Sequence, residues 1–303
     1  MTSVPWCFYE ECNRSSHVIS KSRGITSRKR SSLHSGSNSE IGTNTDSHQV
    51  KKQDLSILIE QYNISPIQDT HRPYFPIYYN DVYEVPLPPK HRFPMSKYRQ
   101  VRERVQQSIQ NSLSSSSSSS STTKTSFSDE RQENTIQTEF LISPLISKVD
   151  LETTHCTDYI QRYMIGDQTN DELRNVGFPW SLEGVNRSLS STGGTVAAAI
   201  SVCLAKREQL SILKEFNDNG QSSLDSKKEE ELGSLFAAHV AGGTHHAFHD
   251  RGEGFSVFSD IAVAANVVLR EFPDVVKRIL IIDLDGTFFT LSNDFTFVLF
   301  HHG

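Results

Sequence analysis

The sequence predicts an α/β fold built on a parallel sheet with helices on both faces, and three observations carry that prediction. Short apolar strands alternate with helical segments from about residue 74 to residue 285. The stretch VVKRILIIDL, 275 to 284, is almost continuously apolar rather than alternating, the pattern of a strand covered on both faces. The two segments richest in reactive side chains both follow strands, and open parallel sheets place ligand sites at the carboxyl ends of their strands.

Taken in order, YFPIYY at 74 to 79 reads as a strand. FPMSKYRQVRERVQQSIQ at 93 to 110 reads as a helix with Pro94 near its first turn and a charged outer face. Gly193-Gly194-Thr195 is predicted to open a helix, VAAAISVCLAKREQLSILKEF, whose small residues suit close packing on a sheet. SLFAAHV at 234 to 240 reads as a short strand, DIAVAANVVLR at 260 to 270 as a helix, and 275 to 284 as the last strand.

Low-complexity segments frame this order. Residues 1 to 70 are Ser-rich and basic, with no acidic residue between Glu11 and Glu40. That composition is compatible with an organellar transit peptide, with a nuclear-import cluster at Arg28-Lys29-Arg30, or with a plain disordered extension. An intracellular place, nuclear or cytoplasmic, is the expectation. Eight serines, Ser114 to Ser121, open a polar stretch reaching Asn134, and such a run buries too little apolar surface to offset its ordering entropy. A disordered insertion over about 111 to 134 follows, and NDNGQSSLDSKKEEE at 217 to 231 reads as a loop.

Composition excludes several function classes. A net charge of -6 argues against direct nucleic-acid binding, which favours a basic surplus. No uninterrupted apolar run reaches eighteen residues, so no membrane span is expected. Cys7, Cys12, Cys156 and Cys203 show no framework spacing, which points to a reducing compartment without structural disulfides.

The chemistry concentrates in AGGTHHAFHDRGEGFSVFSD after SLFAAHV, and in IIDLDGTFFT at 281 to 290. Glycines at 242, 243, 252 and 254 let the backbone turn sharply and bring His245 and His246 into a cleft, where imidazoles paired with carboxylates suit acid/base work near neutral pH. Asp-Leu-Asp-Gly-Thr has two readings. It resembles the first motif of haloacid-dehalogenase-like phosphatases, with Asp283 as nucleophile and Asp285 as acid/base; that family needs further Thr or Ser, Lys and carboxylate residues, and only 18 residues follow Asp285. It also resembles the Asp-x-Asp of a zinc deacetylase.

Five blocks in one order favour the second reading. GGTHHAFHDRGEGFSVFSDIAVAA, PLPPKHRFPMSKY, THCTDYI, NVGFPWS and STGGTVAAA together resemble the histone deacetylase family, in its acetoin-utilisation-like and class IV branches, over about residues 74 to 285. The resemblance implies an arginase/deacetylase-like fold and a zinc-dependent amide hydrolase acting on an acetylated protein or a small acylated amine. It implies His245 as the first histidine of the pair and His246 as the general base. Asp283 would bond the first histidine and help hold a structural monovalent cation. Asp285 would be a zinc ligand, and Gly254 and Phe255 would line the acyl-lysine channel. Zinc would polarise the amide carbonyl and acidify its water while the histidines move protons.

The resemblance breaks after Asp285. Thr287 stands where the family has a second, histidine ligand, and the third ligand and a carbonyl-polarising Tyr normally lie far downstream of position 303. The expectation is the N-terminal half of the domain, a tail over 286 to 303 of atypical origin, and an inactive chain. A family Val after Asp-x-Asp has a codon starting with G; an exon ending there and read into an intron starting GT encodes Gly, the residue at 286. The competing class is a catalytically dead interaction protein. Oligomeric state is left open.

Overall fold

The computed structural model describes residues 55–65, 74–117, 136–218, 235–283 and 296–301. Its centre is a parallel three-stranded sheet of order β2-β1-β3, formed by β1 (Tyr74–Tyr79), β2 (Gln137–Ile142) and β3 (Ala238–His239). Tyr74 pairs with Gln137 and Tyr79 with Ile142 along one edge of β1, and Ile77 and Tyr78 pair with Ala238 and His239 along the other. Helix α1 (Leu55–Gln61) precedes the sheet; α2 (Lys97–Ser117) joins β1 towards β2; α3 (Lys148–Leu151), α4 (Thr157–Ile165), α5 (Asn170–Val176) and α6 (Leu182–Asp218) lie between β2 and β3; α7 (Asp260–Glu271) follows β3.

The core is one cluster in which Tyr78 of β1, Val196, Ala197 and Ile200 of α6, Tyr159 and Ile160 of α4, and Val263 and Val267 of α7 are almost wholly buried. Burying large apolar side chains contributes about 1.5–3 kcal/mol each, and small residues on α6 let that helix lie close to the sheet. Asp150, buried in α3, ties the periphery together. It accepts from Tyr62, from Gln61 at 2.9 Å, from Ser147 at 2.6 Å and from Arg270 of α7. Burial alone would raise its pKa, but the bonds from Ser147, Tyr62 and Arg270 outweigh it and hold the carboxyl below its ordinary value.

The strand YFPIYY and the helix starting at Asp260 fall where the sequence predicts. Elsewhere the structure departs from prediction. Helix α6 begins at Leu182, so Gly193 and Gly194 sit inside it rather than at its start. A Cβ at Gly193 would lie 2.1 Å from the Pro144 carbonyl oxygen, and one at Gly194 would lie 2.3 Å from Ser143 Oγ and 2.6 Å from His239 Nε2. The glycines mark a close approach, not a cap. Helix α2 runs to Ser117, into the serine run that the sequence assigns to an insertion starting near 111. The remainder of that insertion, residues 1–50 and the loop from 219 lie outside the described residues.

The folded part also begins before residue 71. Helix α1 and the turn after it bury Leu58, Tyr62 and Ile64 in the main core, so the predicted extension over 1 to 70 contains an ordered, core-forming piece. Helix α6 is long and apolar enough to cross a membrane by length and composition, with 72% of its apolar window buried inside the fold, as befits a core helix. The last predicted strand is shorter and differently placed. β4 (Arg278–Asp283) pairs antiparallel with β5 (Thr296–His301), and Leu280, Ile281 and Ile282 are exposed rather than covered on two faces. The β-prone tail TFVLFH supplies backbone hydrogen bonds to β4, but one added strand cannot bury both of its faces.

Candidate active site

The loop over 240 to 259 leaves β3 and returns to α7, and both of its ends are pinned from below. At the first end Asp260, wholly buried, accepts from Gly243 N–H at 2.9 Å and Thr244 N–H at 2.8 Å. The Thr244 hydroxyl lies 2.9 Å from the same carboxylate and 2.6 Å from the Phe258 carbonyl. Gly243 has φ 85°, a left-handed turn that glycine adopts without steric cost, and His245 N–H closes it onto the Gly243 carbonyl. At the far end His155 is a buried strut. Its Nδ1 donates to the Phe248 carbonyl at 2.9 Å, and Nε2 accepts from Ser259 N–H at 2.9 Å. Burial disfavours the imidazolium and lowers the His155 pKa, keeping the neutral ring that this pattern requires.

Between these supports the histidine pair stands at the end of the sheet. His245 Nδ1 lies 2.5 Å from Asp283 Oδ2 at the last position of β4, and the rings of His245 and His246 meet edge to face with centroids 4.2 Å apart. A Cβ at Gly254 would come within 3.0 Å of the His246 ring, so the glycine admits the imidazole. Gly254 N–H and Phe255 N–H donate to the carbonyls of Asn175 and Val176 at the end of α5, which holds both residues at positive φ. Phe255 thereby joins an aromatic wall. Its centroid is 4.9 Å from that of Phe93 and 5.1 Å from that of Phe178, and the Arg92 guanidinium lies over its ring at 4.7 Å. Behind the wall is a cavity of about 40 Å³ bordered by Tyr98, Arg187, Thr244 and Phe258. Arg187 lies 4.0 Å over the Tyr98 ring, and burial lowers its pKa.

Of the residues singled out in the sequence, the structure brings together His245, His246 and Asp283, and sets Gly254 and Phe255 beside them. Asp285 and Thr287 lie outside the described residues. Sequence reasoning assigned no role to Asp260, His155 or His239. Asp260 lies within the GGTHHAFHDRGEGFSVFSDIAVAA block at the start of a helix, but its role shows only in its contacts to a loop 16 and 17 residues upstream. His155 carried a signal, since it lies within the THCTDYI block.

A model of the histone deacetylase domain matches residues 102–286. This chain belongs to the histone deacetylase domain family. An uncharacterized protein of Picosynechococcus is 30% identical over 232 residues, covering 75% of this chain and 59% of its own length. Histone deacetylase 18 of Arabidopsis thaliana is 27% identical over 148 residues, 38% of this chain and 22% of its own. The acetoin utilization protein AcuC of Staphylococcus aureus is 41% identical over 52 residues, 17% of this chain and 13% of its own. The chain thus spans 59% or less of these curated relatives. Family membership establishes the deacetylase fold class for the α/β core, and nothing in these likenesses supports the phosphatase reading of Asp-Leu-Asp-Gly-Thr.

The histone deacetylase domain is generally a zinc domain. A catalytic zinc takes three protein ligands and keeps a fourth position open. Among the described residues no three His, Cys, Asp or Glu side chains converge on one point. The sequence supplies Thr at 287 where the resemblance asks for His. The described residues do not fit a zinc site.

Proposed function

We propose that this chain carries the proton-handling part of a deacetylase site for acetylated protein lysines or small acylated amines, and that residues 1–303 alone neither hold zinc tightly nor hydrolyse the amide. The observation that carries this reading is the contact of His245 Nδ1 with Asp283 Oδ2 at 2.5 Å beside the edge-on ring of His246. The carboxylate accepts the Nδ1 proton of His245, which fixes the tautomer and makes Nε2, with its lone pair, the basic nitrogen of the ring. The bonded carboxylate also holds the direction of the ring while that lone pair takes a proton. His246, held against Gly254, is the second imidazole positioned to accept or return a proton. The aromatic wall of Phe93, Phe178 and Phe255 suits the methylenes of an acyl-lysine side chain, giving apolar contact without competing hydrogen bonds.

Zinc is the family's means of polarising an amide carbonyl, and no step is assigned to it here because the ligand set does not fit. The position of Thr287 supports the further reading that the metal half of the site is incomplete. The test is turnover of an acetyl-lysine peptide by purified residues 1–303 with added zinc, alongside Thr287→His. The expected result is no turnover by the natural chain and at least tenfold tighter zinc binding by Thr287→His. Turnover by the natural chain that vanishes in His246→Ala would overturn the claim of inactivity. Unchanged zinc affinity in Thr287→His would overturn the residue matching on which the reading rests.

A further inference from the structure

We infer that Asp260 is the residue that positions the histidine pair, and that it is itself oriented from beneath by Thr195 and His239. It rests on the deacetylase reading only for the purpose of the pair; the geometry stands on its own contacts. Five donors converge on this buried carboxylate. They are Gly243 N–H, Thr244 N–H, the Thr244 hydroxyl, the Thr195 hydroxyl at 2.5 Å and Ile261 N–H at 2.9 Å. Only the last belongs to its own helix. Ser259, at the helix N-cap, makes no side-chain cap bond, so helix capping accounts for one contact of five. Three of the others come from the two residues that immediately precede His245, and the fourth comes from Thr195 of α6.

The layer below fixes the carboxylate's direction. Because the Thr195 hydroxyl donates to Asp260, its oxygen accepts from His239 Nδ1–H at 2.9 Å. His239 Nε2 then accepts from the Ser143 hydroxyl at 3.2 Å. This sets one proton pattern from Ser143 at the end of the sheet to Asp260, and it needs a neutral His239. Full burial disfavours the charged ring and pulls the His239 pKa down to about 3, with the nearby Arg187 charge acting in the same direction. The sequence leaves room for the chain of contacts. A Cβ at Gly194 would lie 2.6 Å from His239 Nε2, and one at Gly242 would lie 2.8 Å from Asp260 Oδ2. Asp260 therefore acts through the loop backbone, setting the direction in which His245 leaves the Gly243 turn and meets Asp283.

The test reads the tautomer of His245 in residues 1–303 labelled with ¹⁵N-histidine, by long-range proton–nitrogen correlation, with the resonance assigned through His245→Asn. The natural chain is expected to show His245 protonated at Nδ1. Asp260→Asn turns an N–H towards donors that need an acceptor. It is expected to replace that single form by the tautomer mixture of a free imidazole while the circular dichroism spectrum is retained. Asp150→Asn removes a buried carboxylate bonded to Gln61, Tyr62, Ser147 and Arg270 rather than to the loop, and should lower the melting temperature while leaving the His245 tautomer unchanged. Should Asp260→Asn fail to fold, Thr195→Val, which removes only the hydroxyl, is expected to give the same mixture. A natural His245 tautomer retained in whichever of these two variants folds would overturn the proposal. Neither readout uses zinc or turnover, so its failure leaves the deacetylase reading to its own experiment.

Discussion

Gly193→Ala puts the packing of α6 to a quantitative test. In an exposed helix interior, alanine is favoured over glycine by about 1 kcal/mol, so helix propensity alone predicts stabilisation. Here the new methyl would lie 2.1 Å from the Pro144 carbonyl oxygen and 3.0 Å from Ile146 N, both backbone atoms of the segment following β2. That segment is itself bonded to the helix, with Ile146 N–H donating to the Leu189 carbonyl at 3.2 Å, so it cannot withdraw without losing that bond. Overpacking against atoms that cannot turn aside costs about 1–3 kcal/mol, towards the upper end when backbone must move. The balance is a net loss of about 1–2 kcal/mol, or about 2–8 °C in melting temperature for a domain of this size. Thermal unfolding followed by circular dichroism measures it. A melting temperature equal to or above that of the natural chain would refute the close approach of α6 to the end of β2.

Other perturbations have equally definite outcomes. A chain starting at residue 71 loses Leu58, Tyr62 and Ile64 from the core and should melt at least about 10 °C below one starting at residue 51; equal melting temperatures would show that α1 does not contribute. Asp150→Ala leaves Arg270 and the Tyr62 hydroxyl without their shared carboxylate and should cost about 3 kcal/mol in urea unfolding, whereas a loss under about 1 kcal/mol would contradict the bonded network. Stability should also fall on mild acidification. The folded pKa of His239 is depressed to about 3, so below its ordinary value of 6.5 the unfolded chain binds a proton that the folded chain refuses. Between pH 7 and pH 5 this removes about 2 kcal/mol, with His155 acting in the same direction, and a flat urea-unfolding profile over that range would contradict two buried neutral histidines.

Legibility in the sequence followed the range of the interactions. The strand YFPIYY and the helix from Asp260 are set by local periodicity, and both emerge where the pattern places them. His245, His246 and Asp283 were legible because a Gly-rich loop and a strand end carry them, although their meeting spans 38 residues of chain. The glycines at 193 and 194 misled because local rules treat glycine as a helix boundary, whereas here tertiary contact with Pro144, Ser143 and His239 decides the residue. Helix α1 and the turn after it were hidden inside a polar extension, since Leu58, Tyr62 and Ile64 gain their partners only from distant elements. The apolar run at 275 to 284 carries the signature of a doubly covered strand, yet β4 pairs only with β5 among the described residues, and Leu280, Ile281 and Ile282 remain exposed. Asp260 and His239 were illegible for the same reason as the glycines: their role lies in bonds between segments that the sequence separates.

The most direct test of the central claim is the zinc content of purified residues 1–303 after dialysis against zinc-containing buffer, measured by metal analysis alongside acetyl-lysine turnover. The expected result is far less than one zinc per chain and no turnover, because the histidine pair and Asp283 are present while the described residues bring no three ligands together. One firmly held zinc per chain, with acetyl-lysine hydrolysis that His246→Ala abolishes, would contradict it.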